Sequence, residues 1–126
     1  MIKKKYKIFE LSNGKKEITV LFDNIVNSEI LTTFLCSDVI PFEDWVKADF
    51  DKVISGESEY EEVNGNVCSA EIRPITTKIY DNLIEDDDEY YATYCEVDTR
   101  ELRQLIEECC NMAREIKISN TTKPLI

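Results

Sequence analysis

Histidine is absent from the sequence, which removes the commonest general base and the commonest imidazole metal ligand together. Glycine and proline number three each, too few for a linker-rich or low-complexity chain. Phosphate-cradling glycine loops are missing, as are the basic and aromatic interleavings of RNA-binding sheets. No apolar run approaches the roughly 18 residues of a membrane-spanning helix. The lysines of the first five positions are followed by Tyr6, Lys7 and Glu10, not by an apolar signal segment. Positive charge is scarce, with 15 Lys and Arg facing 26 Asp and Glu for a formal charge of −11. Such a surface repels phosphate backbones and anionic lipid alike, so neither direct nucleic-acid binding nor membrane binding is expected. The five cysteines, Cys36, Cys68, Cys95, Cys109 and Cys110, include no CxxC spacing and have no histidine partner. They are expected to be reduced, neither zinc ligands nor a disulfide framework, in a cytoplasmic protein.

What is present suffices for a core. At 126 residues and 43% hydrophobic composition, the chain can bury roughly two-thirds of its unfolded surface. Alternation over residues 6–11 and 17–22, around Ser12-Asn13-Gly14-Lys15, reads as a β-hairpin. Ile30, Leu31, Phe34 and Leu35 recur at one-and-four spacing within 27–40 and favour a short helix. A second helix is expected over about 41–55, with Pro41 in its first turn, Glu43 and Asp44 at its positive end and Gly56 as its stop. Phe42, Trp45, Val46, Phe50, Val53 and Ile54 form its apolar face, which places Trp45 in the core. Strands over 58–63 and 67–73 flank the turn Asn64-Gly65-Asn66, and two more are expected over 76–83 and 89–97. Asp98 caps a last helix, Glu101 completes a capping box, and Leu102, Leu105, Ile106, Cys109, Ala113 and Ile116 form its apolar stripe. No repeat or composition break divides the chain. The expectation is one α+β domain over 1–117 and a C-terminal tail over 118–126. The domain is an antiparallel sheet of about five or six strands with two or three helices packed on one face.

Charge is unevenly placed. Lys3, Lys4, Lys5, Lys7, Lys15 and Lys16 are six of the fifteen basic residues, and they either guard exposed strand edges or form a basic arm. From Glu17 onward nine basic residues face 25 acidic ones, a balance of −16. Two acidic segments carry tyrosines: Glu57, Glu59, Glu61 and Glu62 around Tyr60, and Asp81, Glu85, Asp86, Asp87, Asp88 and Glu89 beside Tyr80, Tyr90 and Tyr91. The second lacks the alternating carboxylate spacing that wraps calcium, so no metal site and no cofactor are assigned to it. Tyrosine supplies large contact area and one hydrogen bond at low entropic cost. Carboxylates set among tyrosines suit an Arg- and Lys-rich protein, and these fourteen residues are the candidate partner-binding set. Catalysis would have to rest on carboxylate, tyrosine or cysteine alone, and no catalytic residue is assigned.

The segments Phe42-Glu43-Asp44-Trp45-Val46, Asn64-Gly65-Asn66-Val67-Cys68 and Tyr94-Cys95-Glu96-Val97-Asp98-Thr99-Arg100-Glu101-Leu102 belong to a chain that resembles bacterial immunity proteins, which neutralise secreted or contact-delivered toxins. The resemblance extends over about residues 17–116 and is one of size, charge and element order. It implies a cognate toxin domain as partner, a cationic nuclease by charge class, and a chain that inhibits without being an enzyme. Two other classes fit the same composition: an acidic regulatory adaptor or nucleic-acid mimic acting on a host protein, and an enzyme built on paired carboxylates in a deep pocket.

Overall fold

The chain begins with β1 (Lys4–Glu10) and β2 (Lys16–Phe22), an antiparallel hairpin in register from Lys4 opposite Phe22 to Glu10 opposite Lys16. Gly14 holds a φ of 83° in its turn, where Asn13 Oδ1 accepts the Lys15 N–H at 2.9 Å. The computed structural model describes residues 2–82 and 93–121. α1 (Ser28–Phe34) runs into a π-helical turn over Leu35–Val39, closed by the Ile40 N–H donating to the Leu35 carbonyl at 3.0 Å. α2 (Glu43–Ile54) follows, then β3 (Glu61–Asn64), β4 (Cys68–Ile72), β5 (Thr76–Asp81), β6 (Tyr94–Asp98) and α3 (Thr99–Thr121).

Strands β3 to β6 form an antiparallel meander in chain order, separate from the hairpin. Among the described residues all six strands are thus antiparallel, but they divide into sheets of two and four. The division follows from packing, because α1 and α3 contact both the four-stranded sheet and β2. Thr32 donates its hydroxyl to the Val20 carbonyl at 2.8 Å, Lys4 pairs with Glu108 at 2.9 Å, and Asn120 exchanges two 3.0 Å hydrogen bonds with the Lys16 backbone. The hairpin is a flap on the helical layer, its edge lysines mostly solvated.

Period-two alternation sorts the meander. Val63, Cys68, Ala70, Ile72, Thr77, Ile79, Cys95 and Val97 point to the helices and are buried. They pack with Phe34, Leu35, Phe50, Leu102, Leu105 and Ile106 in one core. Thr77 and Thr99, both fully buried, share a hydroxyl hydrogen bond of 2.9 Å, and Thr99 also donates to the Arg73 carbonyl. Asp98 caps α3 by accepting the Glu101 N–H at 2.9 Å, while the Glu101 carboxylate accepts the Ile2 N–H at 3.2 Å. Residues 118–121, expected to open the tail, continue this helix.

Two expectations for α2 change. The helix starts at Glu43, with Pro41 and Phe42 in the preceding turn. Trp45, expected in the core, is 69% exposed. Val46, Phe50 and Val53 fill the buried arc, and Trp45 stands one residue, about 100°, off it. The α2 and α3 surfaces are joined by ions: Lys47 pairs with Glu43 at 2.6 Å and with Glu107, Arg114 with Glu43, and Arg103 with Asp51 at 2.8 Å.

All five cysteines are free thiols, with Cys36 half-buried and the others buried. Burial is the largest cause of their raised pKa values: about 12 for Cys68 and Cys110, about 11 for Cys95 and Cys109. They are core residues with suppressed thiolate character.

Candidate functional site

The helices occupy one face of the meander, and among the described residues no element packs on the other. Strand register sets the open face in rows. Glu62 lies opposite Glu71, Glu71 opposite Lys78 and Lys78 opposite Glu96. Alongside, Asn64, Ser69, Tyr80 and Tyr94 form a second row. Tyr80 and Tyr94 pack at 5.9 Å between ring centroids with planes tilted by 49°. Lys78 Nζ stands 5.0 Å over the Tyr94 ring, and the Arg73 guanidinium 4.9 Å over the Tyr60 ring. Tyr60 donates its hydroxyl to Glu62 at 3.1 Å. Burial and the carboxylates of Glu62 and Glu71 raise the phenol pKa values of Tyr60 and Tyr80 above their ordinary value, so both remain hydrogen-bond donors at neutral pH.

This strip carries the charge of the molecule. Between Glu57 and Asp98 the sequence has thirteen acidic residues and two basic ones, Arg73 and Lys78. The rest of the chain has thirteen of each and is neutral. Both cations lie over tyrosine rings, and Arg73 also pairs with Glu71 at 3.2 Å, while Glu62 and Glu96 on the open face are exposed and, among the described residues, in no ion pair.

A second feature borders the same edge strand. α2 and the β3–β4 turn enclose a groove of about 240 Å³, lined among others by Asp38, Phe42, Trp45, Asp49, Glu62 and Gly65. Its wall is fixed by Asp38, a fully buried carboxylate on the π-helical turn. The Asp38 oxygens accept the N–H groups of Asn66 at 2.6 Å, Cys68 at 2.7 Å and Val67 at 3.3 Å. Gly65 is required there for space: its φ is not positive, and an added Cβ would lie 2.8 Å from the Asp38 Cβ. Among the described residues no helix is long and apolar enough to cross a membrane, and no three carboxylates or thiols converge as a metal ion would need.

A protein of Bacillus cereus named "Immunity protein" is 38% identical to this chain over 89 residues, covering 71% of this chain and 74% of the relative. The chain belongs to the immunity proteins. No family model matches it, and no solved structure does.

Of the candidate partner-binding residues expected from the immunity protein's sequence, Tyr60, Glu62 and Tyr80 share the open face. Glu57 and Glu59 are exposed in the approach to β3. Glu61 does not join them. It is opposite buried Ile72, turns to the helical side and meets Lys52 at 3.8 Å. Asp81, half-buried, ends β5. Glu85, Asp86, Asp87, Asp88, Glu89, Tyr90 and Tyr91 lie outside the described residues. The sequence reading missed Glu71, Lys78, Tyr94 and Glu96. Each sits at the outward position of a strand that the sequence did reveal, so extending the alternation across all four strands would have found them.

Proposed function

We propose that this immunity protein neutralises a cationic toxin domain, a nuclease by charge class, by binding it in the cytoplasm through the open face of the meander. The observation that carries the reading is the confinement of the whole net charge to residues 57–98, the stretch of sequence that contains the four strands of this face. A nuclease holds phosphate with positive charge, and a rigid negative surface follows the same field toward it. Such steering lifts association toward the order of 10⁸–10⁹ M⁻¹s⁻¹ at low salt. Once docked, Tyr60, Tyr80 and Tyr94 lose water and hold the partner, because buried anchors govern dissociation more than rim charges do. The outcome is occupation of a positive surface, with no chemistry performed by this chain.

The test is co-expression with a toxic reading frame neighbouring its gene, followed by binding kinetics on the purified pair. The wild-type chain restores growth. Converting Glu85, Asp86, Asp87 and Asp88 to Lys slows association and flattens its salt dependence. Tyr80→Ala or Tyr94→Ala speeds dissociation, at a cost of about 1–2 kcal/mol or more for an anchor. Failure to protect, an acidic partner, or binding indifferent to salt refutes the reading. An adaptor or nucleic-acid mimic would instead bind a host protein and leave the toxin active.

A further inference from the structure

Two exposed aromatic rings on the meander lie under cations of their own chain, Tyr60 under Arg73 and Tyr94 under Lys78. Trp45 differs. At 69% exposure it is the most open of the described aromatic side chains, and among the described residues no cation covers it. Phe42 meets it edge-on, with centroids 6.4 Å apart and planes at 84°. The adjoining groove is lined by the carboxylates Asp38, Asp49 and Glu62 and by no Lys or Arg. Asp38 is already committed to three backbone N–H groups, which leaves Asp49 and Glu62 as the charges a visitor would meet. Burial, and then neighbouring Glu61, push the Asp49 carboxyl above its ordinary value against the pull of Lys52. A further positive charge beside it would relieve that repulsion.

The size of the groove narrows the occupant. About 240 Å³ is below the roughly 300–1,000 Å³ of small-molecule sites, yet it admits one long side chain. Trp45 contributes no burial to the core in the free protein, since Val46, Phe50 and Val53 fill that arc. An uncovered indole beside carboxylates, in a groove that no Lys or Arg lines, is matched by a planar, weakly hydrated cation on an apolar stem. That is arginine better than lysine.

We propose that the Trp45 groove is a second anchor point for the toxin and receives an arginine side chain, its guanidinium laid on the indole and facing Asp49 and Glu62. The proposal rests on the toxin-binding reading above and adds a site that it does not require. Asp38 and Gly65 hold the groove wall in place before binding, so little ordering remains for the complex to bear.

Trp45 is the single tryptophan of the chain, which makes its fluorescence a report on the groove alone, provided the toxin's own tryptophans are replaced by phenylalanine. The probe is the toxin domain against which the full chain protects in co-expression. On complex formation Trp45 emission is expected to move to the blue and to lose acrylamide quenching. W45A and D49K are each expected to weaken binding by about tenfold or more, D49K more than D49N, with melting temperatures unchanged. Quenching unaltered in the complex, or W45A binding within about threefold of wild type, overturns the groove while protection by the wild-type chain leaves the toxin-binding reading standing. Sensitivity to W45A without sensitivity to D49K gives the groove to an apolar side chain and overturns the arginine assignment. A concentration-dependent dimer of the free chain that W45A dissolves gives it to a second copy, with the same consequence. Absence of both protection and binding removes both readings.

Discussion

Replacing Asp38 by alanine tests how the groove wall and the β3–β4 turn are held. The carboxylate is 0% exposed and receives two short hydrogen bonds, from Asn66 at 2.6 Å and Cys68 at 2.7 Å, with a longer shared one from Val67 at 3.3 Å. An orphaned buried donor costs about 1–3 kcal/mol, so two strong losses and one weak one come to about 2–6 kcal/mol. Water entering from the groove returns part of this, which puts the expected loss at about 2–5 kcal/mol, a large share of the 5–15 kcal/mol typical of a domain. Asp38→Asn keeps one acceptor and turns an amide toward a backbone donor, so about half the loss is expected. Urea unfolding followed by circular dichroism measures the change, with an unchanged slope showing that stability alone has moved. Amide exchange should accelerate first at Asn66, Val67 and Cys68. Gly65→Ala provides the cross-check, since its Cβ would enter the space of the Asp38 side chain at about 1–3 kcal/mol. That cost should fall, though not to zero, in the Asp38→Ala background, where only the Asp38 Cβ remains. Strictly additive costs, or an Asp38→Ala loss below about 0.5 kcal/mol, would refute the reasoning.

Leu105, 1% exposed at the centre of the α3 stripe, should cost on the order of 2–5 kcal/mol on truncation to alanine, read as a shift of the urea midpoint. Arg114 and then Lys47 hold the Glu43 carboxyl below its ordinary value, so its contribution is present above the unfolded value of about 4.3 and fades as pH falls through the lower folded one. Glu43→Gln should therefore lower neutral-pH stability by about 1–2 kcal/mol and flatten the acid limb of the stability curve; a parallel downward displacement of the whole curve would contradict this. At pH 8 a maleimide should modify at most Cys36 in the native chain and all five thiols in urea, and dithiothreitol should leave the melting temperature unchanged, since every thiol is free and four are buried.

The elements were legible in the sequence wherever one period dominates. Leu102, Leu105, Ile106 and Cys109 repeat at helical spacing behind a capping Asp98, and α3 begins at the next residue. The strands 68–72 and 76–81 fall inside the expected runs because alternation marks them, while β3 starts three residues later than expected and takes in Asn64, which was assigned to the turn. Trp45 was misplaced because a list of apolar residues does not state how wide an arc the neighbours leave: Val46, Phe50 and Val53 already fill it. Asp38 was invisible for another reason. Its partners are backbone N–H groups 28 to 30 residues away, and no local spacing announces a long-range acceptor. The separation of the hairpin from the meander was hidden likewise, since it depends on α1 and α3 contacting both sheets. The candidate face was half-legible: composition pointed to tyrosines among carboxylates, but only register shows that Glu61 turns inward while Glu71, Tyr94 and Glu96 turn out.

The partition of charge explains how one small domain can carry a repulsive surface and remain folded. On the helices most carboxylates that touch a neighbouring element have a cation: Glu43 has Lys47 and Arg114, Asp51 has Arg103, Glu107 has Lys47, and Glu108 has Lys4. These pairs fasten α2 and the hairpin to α3. On the open face the order is reversed. Its two cations rest on tyrosine rings, Arg73 also pairing with the Glu71 carboxylate at 3.2 Å, and Glu62 and Glu96 point to water from strands whose other sides are core. Self-repulsion on that face is borne by the burial of Val63, Ile72, Ile79 and Val97 directly beneath it. Charge changes on the open face should therefore alter association and leave the urea midpoint nearly still, whereas equal changes among Glu43, Lys47 and Arg114 should do the opposite. The same partition makes the Trp45 groove distinctive, since it lies on α2, where Glu43, Lys47, Asp51 and Lys52 are in ion pairs, yet presents carboxylates with no cation among its lining residues. The exposed indole there is a feature that the packing of α2 does not need, because Val46, Phe50 and Val53 already fill the buried arc.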